Sequence, residues 1–258
     1  MIIYIDIVVL CCEFKFYYCD DIIMKHIDEI AVIVQARMNS KRVPQKMVRP
    51  FAGTTLMDIC LEKLTRSTVI PKQNIYISVF EPELRDIAVR HGLQIYDRSE
   101  LSANAESSLT EIYEWHDKLP QQYKYIILIN ACSPFLEIAT VDKFVQKYME
   151  IEQTGLFGVI HKKNYYWNKS GVMVTPWPVD QTIMNTKAVE VTYEAAHCLY
   201  ASSIDTIKDD VFMGSFKQKD DPVLFPMDDF EVFDIDYEWQ FCMAEAYYGQ
   251  LYCQNVAE

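Results

Sequence analysis

Between Ala36 and Lys46 the chain reads ARMNSKRVPQK, right after the apolar run IAVIV at residues 30–34. Arg37, Lys41, Arg42 and Lys46 thus crowd one polar stretch of a chain whose formal charge is −13, from 24 Lys+Arg against 37 Asp+Glu. A phosphate chain calls for this kind of cluster. Arginine offers a planar fork to phosphate oxygens and lysine a mobile point charge. Loop amides add an anion-binding nest and Pro44 stiffens the turn. The alternative is a solvated charged turn. Near the other end, the sequence FDID places Asp234 and Asp236 two positions apart. On a strand both carboxylates face one side. Hard oxygens so arranged suit Mg²⁺, with bound phosphates completing its shell. The alternative is that Asp236 caps a helix beside an unrelated acid. A cationic phosphate loop in the same sheet favours the metal reading.

Other candidates lie at the ends of apolar runs. In NACSPFL (130–136), Asn130 and Ser133 have the hydrogen-bonding groups for a base, a sugar or a phosphate, or else form a turn that simply ends a strand. Arg98 in YDRSE reaches the same rim or makes an exposed salt bridge. Tyr193 and His197, in YEAAHCLY, are candidates for a sugar contact, with a buried, hydrogen-bonded histidine as the competing reading. Tyr165, Tyr166, Trp167 and Trp177 line a sugar pocket, an arm between subunits, or plain packing. The glycines of a phosphate-binding P-loop or a dinucleotide turn are missing. The eight cysteines contain no C-x-x-C pair and the five histidines no H-x-x-x-H spacing, so neither a zinc site nor a disulfide framework is expected. No Ser/His/Asp or Cys/His set emerges.

These residues need elements to hold them. With 258 residues, 50% hydrophobic and 24% charged, the chain can bury a sizeable core. Net acidity argues against general nucleic-acid or anionic-membrane binding. Strands are expected at 30–34, 74–80, 93–97 and 123–131. Helices are expected from Thr54 or Thr55 onward, from Pro82 to Gly92, over 107–119 and over 140–153. This alternation predicts an α/β fold, a mostly parallel sheet with helices on both faces, and ligands at the carboxyl ends of the strands. A further strand opens at GLFGVIHKKN. NYYWNKSGVMVTPWP then reads as a small antiparallel or hairpin excursion. A late strand ends in FDID, and a helix starts near Tyr237.

Residues 1–23 are apolar but broken by Asp6, Glu13 and Lys15, a poor membrane span and a poor signal peptide. The expectation is upstream translation with Met24 as initiator, and a single domain over 24–258. The alternative is a real anchor or an added strand. A cytoplasmic protein without a membrane or nucleic-acid partner follows.

The stretches IAVIVQARMNSKRVPQKM, YDRSE with SSLTEI, LINACSPFL and FDIDYEWQF occur in the order seen in the cytidylyltransferases that activate acidic sugars. Those are the CMP-N-acylneuraminate synthetases and their relatives for 3-deoxy-manno-octulosonate, legionaminate and pseudaminate. The chain resembles that family from about residue 30 to 245. The resemblance implies a Rossmann-like nucleotidyltransferase fold, usually a homodimer, that uses CTP and Mg²⁺ to activate a 2-keto acidic sugar. It implies that Arg37, Ser40, Lys41 and Lys46 hold the CTP phosphates in a loop that includes Ala36 and Arg42. Arg98, Ser107 and Asn130 would lie near the cytidine or the sugar, and Asp234 and Asp236 would hold the metal. The chain departs from the family pattern at several positions. Asn39 stands for a glycine, Met47 for an asparagine, Cys132 for a threonine and Leu136 for an arginine. The second strand ends ISVF where S-T-D is frequent, so one acid is missing. Rival readings are a metal-dependent glycosyltransferase using the D-x-D acids and a non-catalytic relative.

Overall fold

The computed structural model of the protein describes residues 25–216 and 218–253. The expectations for residues 1–23 lie outside these. In chain order the strands are β1 (Ile30–Gln35), β2 (Ile75–Val79), β3 (Gln94–Asp97), β4 (Tyr125–Ile129), β5 (Leu156–Lys162), β6 (Thr192–Ser203) and β7 (Val223–Met227). The helices are α1 (Leu56–Thr65), α2 (Pro82–His91), α3 (Glu100–Asn104), α4 (Leu109–Ile112), α5 (Ile138–Glu150), α6 (Asp205–Lys208) and α7 (Glu238–Tyr248).

The strands form one seven-stranded sheet in the order β3-β2-β1-β4-β6-β5-β7. β6 runs antiparallel to both β4 and β5, and the other pairs are parallel. The chain moves from β1 out to β2 and β3, then returns to β4 on the other side of β1. The loops after β1 and β4 therefore diverge, and a crevice opens at their carboxyl ends, where open α/β sheets bind ligands.

β1 is buried on both faces, as a central parallel strand must be. Ile30, Val32 and Val34 pack with residues of α1, α2, α5 and α7. Ala31 and Ile33 pack on the opposite face with Trp115 and with Ile207 of α6. Helices thus cover both faces. Thr55 caps α1 by accepting the Asp58 N–H at 3.0 Å. α2 starts at Pro82 and ends at Gly92, whose φ of 65° is left-handed.

Two elements differ from expectation. The helix foreseen over 107–119 is split. Ser108 caps the single turn of α4, and Tyr113 leaves the helical region before a 3₁₀ turn at Glu114–Asp117 that seats the buried Trp115. The late strand β7 stops at Met227 rather than in FDID. Asp228 accepts the Phe230 N–H at 2.8 Å and turns the chain. Between β5 and β6 the expected excursion carries an antiparallel bridge from Trp167 to Met173. No helix among the described residues is long and apolar enough to cross a membrane.

Phe51 links the site's two halves. Fully buried, it meets Phe241 of α7 edge-on at 5.2 Å and Tyr248 at 5.6 Å. Phe51→Ala should cost about 3–5 kcal/mol in chemical denaturation. Thr55→Ala, which removes only a cap, should cost about 1 kcal/mol.

Candidate active site

The basic loop, the turn after β4 and the FDID segment close around one cavity of about 380 Å³, lined by Ala36, Arg37, Ser40, Lys41, Arg42, Lys46, Asn130, Asp234 and Asp236 among others. Backbone pairing sets the frame. Ala36 donates to Ser78 on β2 at 3.1 Å, and Ile235 donates to the Cys132 carbonyl at 3.2 Å. The acids are not on a strand, so alternation does not orient them. The Ile235–Cys132 bond pins their segment against the turn after β4, and both acids line the cavity nonetheless.

Lys46 donates to the Ile235 carbonyl at 2.6 Å and lies 3.9 Å from Asp236. Arg42 pairs with the same Asp236 oxygen at 2.6 Å and lies over the Tyr237 ring at 5.1 Å. Asn130 donates to the His197 carbonyl at 3.0 Å and to Asp234 at 3.4 Å, while its oxygen accepts the Cys132 N–H at 2.9 Å. Burial raises the Asp234 carboxyl above its ordinary range, and Asp236 adds to the rise. Lys46 and the Asn130 hydrogen bond pull the other way. Lys41 pairs with Glu106 at 3.0 Å, and Arg37 donates to the Ala103 carbonyl at 3.4 Å. Ser40 accepts the Val43 N–H at 3.4 Å and shapes the turn.

Two further clefts adjoin this cavity. One, of about 430 Å³, shares Ala36 and Arg37 and adds Arg98 and Glu106. The other, of about 420 Å³, shares Asp234 and Asp236 and is lined by Lys162, Glu194, His197 and Asp229. The two carboxylates thus divide a cationic cavity from a second, more acidic one.

Several expectations change. Arg98 is not an exposed rim residue. It is 5% exposed and donates to Ser102 and to the Ile112 carbonyl, and burial lowers its pKa. α3, which the sequence pattern did not reveal, supplies Ser102, and the last residue of α4 supplies the Ile112 carbonyl. Ser107 is exposed and lies off the cavity's lining. Ser133 turns inward, into a small space beside Lys63, where its hydroxyl has no partner among the described residues. The buried Lys63 ammonium donates to the Pro134 and Leu136 carbonyls and fixes that turn. Leu136 is itself buried. Tyr193 packs on His161 at 5.1 Å, outside the cleft that His197 lines. Asn39, which stands where the family pattern has a glycine, is not left-handed; the positive φ of 55° in this loop falls on Gln45. The acid missing from ISVF is offset one residue on. Glu81 follows Phe80, and its carboxylate accepts the Met38 N–H at 2.8 Å.

Asp234 and Asp236 are the two carboxylates that line this cavity, and a divalent cation bound here would have to use them. Among the described residues no group of three or more His, Cys, Asp or Glu could hold a metal ion, so phosphates would have to complete the shell. The Cys132 thiol is pushed up to about 11 by burial, which keeps it protonated and inert.

Residues 31–226 match the cytidylyltransferase family. The chain is 28% identical over 156 residues to N-acylneuraminate cytidylyltransferase of Oncorhynchus mykiss, spanning 58% of this chain and 35% of that protein. It is 23% identical over 125 residues to 3-deoxy-manno-octulosonate cytidylyltransferase of Rickettsia canadensis, 48% of each. It therefore spans between a third and a half of these curated relatives. A solved CMP:2-keto-3-deoxy-manno-octonic acid synthetase complexed with CTP superposes with a TM-score of 0.59 at 12% identity, over 86% of this chain and 99% of that one. At that identity the likeness is one of fold, and the fold is the Rossmann-like one of nucleotidyltransferases. Because the family match covers most of the sequence and starts on the strand that carries the basic loop, the chain belongs to the cytidylyltransferase family.

Proposed function

We propose that the protein transfers CMP from CTP to a hydroxyl of an acidic sugar, giving a CMP-sugar, pyrophosphate and a proton. One observation carries this reading. The four cations of the basic loop and the two carboxylates at the other end of the sequence share one cavity where the strand order reverses. Family membership supports CTP as the donor. The acidic acceptor rests on what the relatives are named for.

Nucleotidyl transfer depends mainly on positioning and on neutralising charge. Arg37, Lys41 and Lys46 would hold the β- and γ-phosphates and offset their charge as pyrophosphate leaves. Ala36, Ser40 and Arg42 complete the loop around them. Asn130 fixes Asp234. Arg98, held rigid by its buried partners, would bound the nucleoside end. Asp234 and Asp236 fit Mg²⁺, which supplies charge compensation to phosphate oxygens. Arg42 must then release Asp236, and as a half-exposed ion pair it is weakly held. The cleft with Lys162 and His197, on the far side of the two carboxylates, is the proposed place for the acceptor. A homodimer is the proposed assembly. Val172, Val174 and Ile183, exposed on the excursion, offer it an apolar surface.

Pyrophosphate release with Mg²⁺, across four nucleoside triphosphates and a panel of acidic sugars, tests the reading. CTP- and sugar-dependent release is expected, and Asp236→Ala should lower it by at least about a hundredfold, as removal of a transition-state charge contact does. CTP binding without release for any acceptor would turn the reading toward a non-catalytic relative. Lys46→Ala should weaken CTP binding by roughly tenfold or more, the loss of a charge-assisted hydrogen bond. It should also flatten the salt dependence of binding, read by calorimetry at two ionic strengths.

A further inference from the structure

The end of β2 carries a carboxylate that its own helix does not use. Glu81 is the N-cap residue of α2, where an acidic side chain ordinarily turns to the helix amides. It makes no such bond. Its Oε1 reaches across to the neighbouring loop and accepts the Met38 N–H at 2.8 Å. Its Oε2 is buried, and no donor reaches it among the described residues. Buried carboxylate oxygens without a donor are rare and costly, so one that persists calls for a reason.

The charges nearby supply it. Arg37 and Arg98 line the same cleft. The Arg98 guanidinium is destabilised chiefly by burial and further by Arg37, whereas Glu114 and Glu81 offset these effects. Glu114 is already engaged by the Ser99 N–H and hydroxyl. Glu106 also pairs with the loop, through the exposed Lys41 side chain, but Glu81 is the acid that holds the loop's backbone at Met38 and offsets the buried Arg98. Two like charges converging on a cleft without its ligand need such a counter-charge.

We propose that Glu81 is a positioning residue of the candidate active site. It tethers the phosphate loop through Met38 and balances the buried Arg98, so that the loop is already shaped before the nucleotide arrives. It acts through the loop and touches neither nucleotide nor acceptor. This role rests on the reading of the cavity as a CTP site.

The test compares Glu81→Ala, Glu81→Gln and the unaltered chain by CTP calorimetry and by steady-state kinetics. Glutamine keeps an acceptor for Met38 but loses the charge, and alanine loses both. Glu81→Ala should weaken CTP binding about tenfold, at the low end for a hydrogen bond to a charged group. Glu81→Gln should weaken it by roughly threefold, about half that effect in free energy. kcat at saturating CTP should stay within about twofold in both, because a pre-shaped loop affects ground state and transition state alike. Thr55→Ala, which removes only the cap of α1, serves as the control that loses stability without losing CTP affinity. If Glu81→Ala fails to fold, Glu81→Gln and Glu81→Asp carry the comparison. Unchanged CTP affinity in Glu81→Ala, or a fall in kcat with affinity intact, would overturn the positioning role alone. An unaltered chain with no affinity for CTP would overturn the reading of the site and this role with it.

Discussion

The site depends on one hydrogen bond between distant parts of the chain. Lys46, at the end of the basic loop, donates to the Ile235 carbonyl at 2.6 Å. That contact joins the segment after β1 to the segment before α7, and it places Asp234 and Asp236 opposite the other cations. A lysine that donates to a backbone carbonyl keeps its position whatever the state of the neighbouring carboxylates. Its remaining N–H donors, near Asp236 and Cys132, can turn to an anion. The packing of Phe51 on Phe241 of α7 joins the chain beyond the basic loop to the helix that follows the acids.

Around that fixed point the charges are weakly committed. The Lys41–Glu106 and Arg42–Asp236 pairs are both substantially exposed, and exposed pairs contribute little to stability because water and salt screen them. Little is therefore lost when a phosphate chain draws these cations away. The buried groups behave in the opposite way. Arg98 and Lys63 are held by several backbone acceptors, and neither can leave without stranding carbonyls in the interior. The site thus combines a rigid buried frame with exposed cations free to exchange partners.

The same division decides what could be read from the sequence. The strands and the loop after β1 follow from apolar period and punctuation, and these put Arg37, Lys41 and Lys46 at the carboxyl end of the first strand, where the structure also has them. FDID reached the site for a different reason than alternation suggests. Asp228 turns the chain, and the Ile235 amide then anchors it to Cys132. The direction of a side chain after a turn depends on what packs beneath it. That is why Ser133 points inward beside Lys63, and why Arg98 is buried by a helix whose five residues carry too little periodicity to announce themselves. Glu81 was hidden because a Glu-Pro step reads as an ordinary helix start.

The arrangement also bears on the acceptor. The cleft beyond Asp234 and Asp236 holds Lys162, which already pairs with Asp229 at 3.0 Å and lies 3.8 Å from Glu194. At the position the family pattern gives to an arginine stands Leu136, buried, with its carbonyl taken by Lys63. A carboxylate entering this cleft would meet one shared lysine and His197, whereas a phosphate entering the neighbouring cavity meets four cations. The two halves of the site are thus unequal in charge. On the proposed reading, the donor side would carry the electrostatic attraction, and the acceptor would be recognised mainly by its hydroxyls and its shape, against acids that accept hydrogen bonds.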